Sequence, residues 1–202
     1  MESMISDRLL VVEGKDDYFF FENFLKNLNI NDVDIRNVGG KDDYKNKLPL
    51  LKKTSGFDNV KKIAIIIDAH DDCNSTFKSI YNIIRRKMKL IPPKTPNTYS
   101  EENPSIGIFI MPDNCKNGSI EDLCLNTIKS DSSLKCIDIF IECIKKIKQY
   151  SNISKISKRK VQIYLSVKPK IPNSLGLGAK QGYWDFSSKE FDSLKKFLSF
   201  LK

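Results

Sequence analysis

Four short apolar runs punctuate the first half of the chain, at residues 9–12, 33–38, 63–67 and 106–111. The third, Ile63-Ala64-Ile65-Ile66-Ile67, is apolar at every position and mostly β-branched, the pattern of a strand covered on both faces of a parallel sheet. Helical periodicity fills the intervals. Residues 16–28 align Phe20, Phe24 and Leu28 on one stripe, with Asp16 and Asp17 at the positive end of the helix. Residues 41–53 hold a second helical stretch interrupted by Pro49, and residues 76–89 place Ile80, Ile83, Ile84 and Met88 at helical spacing. Strand–helix alternation at this rhythm predicts an α/β fold with crossover helices and a mainly parallel sheet.

Beyond residue 111 the pattern becomes helical. Residues 119–129 and 134–150 read as helices, the latter with Ile137, Phe140, Ile141, Ile144 and Ile147 on its apolar face. Residues 161–167 fit either a strand or a helix. Residues 187–201 read as a last helix, capped by Ser187 or Ser188 and burying Phe191, Leu194, Phe197, Leu198 and Leu201. Pro92-Pro93-Lys94-Thr95-Pro96 opens a long loop that runs to Pro104. The expected organisation is an α/β core over residues 1–130 and a basic, mostly helical C-terminal extension over residues 131–202, packed on that core.

Charge sharpens this division. The 202 residues carry a formal net charge of +9, but residues 1–144 hold 20 basic and 22 acidic side chains, and residues 145–202 hold 14 basic and 3 acidic ones. The positive excess therefore lies in the extension, in Lys155, Lys158, Arg159, Lys160, Lys168 and Lys170 among others. Such a segment suits a polyanion such as nucleic acid, or serves as a solvated, solubilising surface. No run of roughly 18 apolar residues exists to span a bilayer, so a membrane partner is not expected. The acidic N-terminus has no secretory pattern. Cys73, Cys115, Cys124, Cys136 and Cys143 are odd in number and lack a CxxC spacing, as expected for reduced thiols in a cytoplasmic protein.

Parallel sheets place their chemistry just beyond the C-terminal strand ends, and acids occupy those positions here. Glu13 follows the first apolar run, Asp68 the third, and Asp113 the fourth, with Glu121 and Asp122 opening the next helix. Carboxylates brought together repel one another unless a cation sits among them, and hard oxygen donors suit one or two Mg²⁺ or Mn²⁺ ions. Asp68 is the natural fixed ligand, and Glu13 a ligand or general base. Asp16, Asp17, Asp42 and Asp43 read as capping or solvated residues.

Val12-Glu13-Gly14-Lys15-Asp16-Asp17 and Ile66-Ile67-Asp68-Ala69-His70 resemble the two signatures of the Toprim domain, shared by topoisomerases, primases and the overcoming-lysogenization-defect nucleases. Met111-Pro112-Asp113-Asn114, Gly118-Ser119-Ile120-Glu121-Asp122-Leu123 and the terminal Gly182-Tyr183-Trp184-Asp185-Phe186 are similar to compact, stand-alone Toprim-like proteins of unknown function. The resemblance implies a Rossmann-like sheet and a divalent metal held by Glu13 and Asp68, with Glu121 as a further ligand. One departure stands out. Where the Toprim Asp-x-Asp would place its second carboxylate, this chain has His70, its only histidine. Imidazole binds Mn²⁺ or Zn²⁺ but is a poor Mg²⁺ ligand. His70 is thus either a ligand in an altered site, with Asp71 or Asp72 supplying the missing oxygen, or a loop histidine bonded to backbone. The resemblance also implies a basic residue near the scissile phosphate, for which Lys116 and Lys180 are candidates.

Gly176, Gly178 and Gly182 do not form a dinucleotide fingerprint, and Gly39-Gly40-Lys41-Asp42 does not complete a P-loop. Trp184 reads as a core plug beside the last helix or as a base-stacking platform. The expected function is metal-dependent phosphodiester hydrolysis of nucleic acid. The alternatives are a catalytically inactive nucleic-acid-binding module and a phosphohydrolase with Asp68 as nucleophile.

Overall fold

The computed structural model describes residues 3–40 and 43–202. The sheet has the order β2-β1-β3-β5-β4, built from β1 (Arg8–Val12), β2 (Asp34–Asn37), β3 (Lys62–Asp68), β4 (Thr98–Tyr99) and β5 (Ser105–Met111). All neighbours are parallel except the short edge strand β4, which runs antiparallel to β5. That strand lies in the segment read from sequence as loop. Two residues without an apolar run leave no pattern to detect.

Side chains alternate across the strands, and each face has its own core. Leu9, Val11, Ile63, Ile65, Ile67, Ile106, Ile108 and Ile110 face one layer. Its helices are α2 (Tyr44–Leu50), supplying Tyr44 and Leu48, and α3 (Cys73–Asn82), supplying Ile80. A wider helical turn at Ile83–Met88 extends α3 and adds Ile83, Ile84 and Met88. The expected helix over residues 41–53 begins at residues outside those described, Lys41 and Asp42. Its described part retains Pro49 inside α2 and ends in a 3₁₀ turn at Leu51–Lys53.

Leu10, Val12, Ala64, Ile66, Phe109 and Met111 face the second layer. There α1 (Lys15–Asn27) contributes Phe20, Phe21 and Phe24. The remaining helices are α4 (Ile120–Thr127), α5 (Ser133–Lys145), α6 (Ile156–Ser166), α7 (Leu175–Lys180) and α8 (Asp192–Leu198). Residues 161–167, ambiguous in sequence, thus belong largely to a helix. The last expected helix is α8 flanked by 3₁₀ turns, with the Ser188 hydroxyl accepting from the Glu190 N–H.

The C-terminal helices complete the second layer. Val161, Tyr164, Leu165, Leu175, Phe191, Leu194, Phe197, Leu198 and Leu201 are at most 3% exposed. Asp16 accepts hydrogen bonds from the N–H groups of Leu175 (3.0 Å) and Gly176 (2.8 Å), tying the start of α1 to the start of α7. A Cβ at Gly176 would lie 2.6 Å from the Asp16 carbonyl oxygen, so only glycine permits this approach. Trp184 is the core plug: it is 2% exposed, stacks on Tyr164 at 5.6 Å and donates to the Leu175 carbonyl at 3.0 Å.

This winding fixes the place of the chemistry. From β1 the chain crosses to β2 on one side, and from β3 it crosses to β5 on the other. The crevice between the carboxyl ends of β1 and β3 is therefore the topological switch point, where doubly wound sheets bind ligands. Glu13 and Asp68 stand at those two strand ends. Among the described residues no helix is long and apolar enough to cross a membrane, and all five cysteines are free thiols.

Candidate metal centre

Glu13 emerges from β1 into the crevice and is 9% exposed. Its Oε2 accepts the Asp68 N–H at 3.2 Å, and its Oε1 lies 3.1 Å from His70 Nε2. Glu13, Asp68 and His70 each present one ligand atom, and these atoms all lie within 4.8 Å of one another. Asp68 Oδ1 accepts the Ile120 N–H at 3.0 Å, from the first residue of α4. Three strand-end loops thus converge, as the edge of a parallel sheet allows.

Local sequence explains how His70 joins them. It adopts φ +54°, a left-handed conformation that a non-glycine residue takes at a cost, and its N–H donates to the Gly118 carbonyl at 3.0 Å. Asn117 staples the same two loops together: its Oδ1 accepts the Cys73 N–H at 3.2 Å and its Nδ2 donates to the Asp71 carbonyl. These bonds hold residues 69–71 in a turn that brings the imidazole beside Glu13. His70 Nε2 thus lies at the acids, while its main chain is bonded to the Gly118 backbone.

Crowding governs the electrostatics. Burial pushes the Asp68 carboxyl well above its ordinary range, and Asp17, Glu13 and Glu121 push it further. Asp17 rises to about 6, chiefly by burial and then by Glu13, Glu121 and Asp16, against the lowering effect of the Gly14 N–H it accepts at 2.7 Å. Asp17 was expected to be a simple helix-end residue. It does cap the start of α1 by accepting the Gly14 N–H, but it also belongs to the acidic cluster. The available signal was its position four residues after Glu13, one helical turn into α1; its burial comes from contacts that no local pattern displays.

The other expected residues divide. Glu121, in the first turn of α4, lines the crevice and acts electrostatically on both Asp68 and Asp17. Asp72 does not supply the missing oxygen. It caps α3, accepting the Ser75 N–H at 3.0 Å and the Ser75 hydroxyl at 2.7 Å, and these bonds lower its pKa. Lys116 is 79% exposed and pairs with Asp113 at 3.3 Å, while Lys180 is exposed at the end of α7. Neither lines the cavity that holds Glu13, Asp68 and Glu121.

The extension supplies the opposing wall. Ser154, Lys155, Ile156, Ser157 and Lys158 line one side of a cavity of about 540 Å³ whose other side is formed by Glu13, Asp68, His70, Asp71 and Glu121. These residues form the N-terminal end of α6, where the helix presents unsatisfied N–H groups and positive dipole. Asp122 anchors this wall by accepting both the Ser119 N–H at 2.8 Å and the Ser157 hydroxyl. Arg159 donates to the carbonyl of Ser154 in that wall, whereas Lys160 pairs with Asp138 at 2.7 Å, and Lys168 pairs with Asp131 and lies over the Tyr164 ring at 3.8 Å. Lys170 lies exposed beyond α6.

Comparison with known proteins agrees with the fold. No protein with a curated description matches the chain. The solved C-terminal region of the Xanthomonas campestris pv. campestris OLD protein is similar over 98% of this chain and 96% of that one, at 14% identity and a TM-score of 0.51. Two further structures of that region give TM-scores of 0.40 and 0.39 at the same identity. The shared architecture is a Toprim-like, Rossmann-type sheet with a mostly helical extension. Residues 7–201 match one family along almost the whole chain, and the protein belongs to that family, described as "Protein of unknown function (DUF3226)".

Proposed function

We propose that this protein is a divalent-metal-dependent phosphodiesterase acting on nucleic acid. The observation that carries the reading is the convergence of Glu13, Asp68 and His70 within 4.8 Å, across one cavity from the N-terminus of α6 with Lys155 and Lys158.

The residues fit a metal on chemical grounds. Four carboxylates crowd one crevice, and burial together with mutual repulsion drives two of them toward protonation. Glu13, Asp68 and His70 would hold the ion, with Glu121 and Asp17 adding negative charge beside it. The two-oxygen, one-imidazole donor set favours Mn²⁺ over Mg²⁺. When bound, a divalent ion polarises a phosphodiester and activates water. This chain's own contribution is positioning. The Glu13 carboxylate is fixed by the Asp68 N–H on one oxygen and by His70 beside the other. Lys155 and Lys158, with the N–H groups opening α6, attract the phosphate and offset negative charge as it develops.

A non-catalytic nucleic-acid-binding module is the second reading. It is favoured by the 3.1 Å approach of His70 Nε2 to Glu13 Oε1, which a protonated imidazole would turn into an ion pair without a metal. An aspartyl-phosphate mechanism fits less well, because His70 stands where a second carboxylate would be needed. Cleavage of single- and double-stranded DNA and RNA with Mn²⁺ or Mg²⁺ separates the first two readings. The nuclease reading expects Mn²⁺-dependent cleavage by wild type and none by Asp68→Asn. Metal binding without cleavage, alongside salt-sensitive nucleic-acid binding, would favour the module.

A further inference from the structure

The layer built on α2 and α3 carries a surface that the charge totals conceal. Residues 1–144 are nearly neutral, yet within them residues 44–53 and 73–90 hold nine basic side chains and no acidic one. Lys45, Lys47, Lys52 and Lys53 belong to α2 and the 3₁₀ turn after it. Lys78 belongs to α3, and Arg85, Arg86, Lys87 and Lys89 to the wider turn that extends it and to the residue that ends it. All nine are exposed. The two strings of charge lie side by side: Lys87 Nζ donates to the Lys45 carbonyl at 3.0 Å, and Lys52 Nζ to the Met88 carbonyl at 2.8 Å. Lys47 pairs with Asp43 at 2.7 Å, but among the described residues Arg85, Arg86 and Lys89 meet no carboxylate. Like charge gathered on one face repels itself, and a polyanion relieves that repulsion.

We propose that this face docks the phosphate backbone of nucleic acid. A groove of about 300 Å³ between α2 and α3 is lined by Lys45, Ser79, Asn82, Arg86 and Lys87. Cationic, amide and hydroxyl groups of this kind are the donors that proteins turn toward phosphates. A lipid surface fits less well. Basic helices that lie on membranes set large apolar side chains beside their lysines, whereas Leu50, 43% exposed, is the one exposed large apolar residue of these two segments. The face also leads away from the acid centre. A Cβ on Gly40, four residues before α2, would lie 3.5 Å from Glu13 Oε1, and α3 opens at Cys73, three residues after His70. Both helices therefore start at the crevice. The ten residues of α3 cover about 15 Å. A duplex carries one phosphate per roughly 1.7 Å of axis, so one engaged at the crevice runs on for about five base pairs before it meets Arg85 and its neighbours. The proposal rests on the nucleic-acid part of the function given above and not on the metal chemistry.

Fluorescence anisotropy of a labelled DNA duplex of about 30 base pairs, titrated with the full chain in EDTA over roughly 50–300 mM salt, tests the proposal. Wild type should bind with a steep salt dependence. The triple variant Arg85→Ala, Arg86→Ala and Lys89→Ala should bind at least tenfold more weakly at about 100 mM salt and lower the slope of log affinity against log salt by about 2–3. Its circular dichroism spectrum should be unchanged. A control that removes the same charge elsewhere, Lys94→Ala with Lys135→Ala and Lys189→Ala, should stay within about twofold of wild type. Duplex binding that the first triple leaves intact overturns this surface and spares the nucleic-acid reading. Equal losses from the two triples would reveal an effect of net charge alone and overturn it too. So would a triple that keeps duplex binding but no longer binds vesicles of phosphatidylserine and phosphatidylcholine, since the face would then belong to a membrane. Wild type that binds no duplex overturns this surface and the nucleic-acid reading together. Binding as expected, with no cleavage once Mn²⁺ is added, upholds the surface and counts against the metal chemistry alone.

Discussion

Asp68 and Asp72 stand four residues apart on the same strand-to-helix connection, yet their surroundings drive them in opposite directions. Asp68 ends β3 inside the crevice, where burial and three neighbouring carboxylates oppose its ionisation. Asp72 opens α3 in solvent, where the Ser75 N–H and hydroxyl stabilise its charge. The same contrast separates Asp17, raised to about 6, from Asp113, which is lowered by the N–H groups of Lys116 and Cys115. A carboxylate that tightens a turn is stable as an anion by itself. A carboxylate held among its own kind needs a cation or a proton, and that need marks the working set.

Substitution should widen this contrast. Asp68→Asn or Glu13→Gln is expected to lower Mn²⁺ affinity by at least a hundredfold in calorimetry, whereas Asp72→Asn should leave it within about twofold. Equal losses from Asp68→Asn and Asp72→Asn would dissolve the distinction.

Stability against pH offers the next largest effect. The folded-state pKa of Asp17 lies above its unfolded value of 3.8, so between about pH 4 and 6 the native state holds more protons than the unfolded one. The metal-free protein must then lose stability as pH rises through that window, by on the order of 3 kcal/mol from Asp17 alone. Asp68 acts in the same direction. Urea unfolding in EDTA at pH 4.5 and 7 measures the loss, and Mn²⁺ should reverse it at pH 7. Stability that rises across the window would show that the cluster is not under charge stress. Asp17→Asn should flatten the metal-free profile.

Smaller effects probe the opposing wall and the imidazole. Lys155→Ala with Lys158→Ala should reduce the slope of log affinity for DNA against log salt by about 2, while Lys116→Ala and Lys180→Ala leave it unchanged. His70→Asp should raise the ratio of Mg²⁺-supported to Mn²⁺-supported activity by exchanging a nitrogen donor for an oxygen. Asp72→Ala should lower Tm by only about 2–4 °C through loss of the α3 cap, with metal binding intact.

Much of this arrangement is legible in the chain because it is local. The alternating apolar runs that end in Glu13 and Asp68 fix both the strands and the ends at which the acids emerge, and Ser119 with Asp122 announces the start of α4. What could not be read depends on tertiary contact. Asp17 looks like any helix-start acid until Glu121 and Asp68 close over it. Lys155 and Lys158 are indistinguishable in sequence from Lys160 and Lys168, yet packing of α6 aims the first pair at the crevice and leaves the second pair tied to Asp138 and Asp131. Gly176 completes no nucleotide motif in the sequence, and its role, to let α7 touch α1, is visible only in the tertiary contact.

Isothermal titration of Mn²⁺ into the EDTA-treated, dialysed wild-type protein and into Asp68→Asn, in two buffers of different ionisation enthalpy near pH 7, tests the centre most directly. The account predicts saturable binding to wild type and no measurable binding to the variant. Wild-type protein that takes up no Mn²⁺, or a variant that binds it equally well, would contradict it.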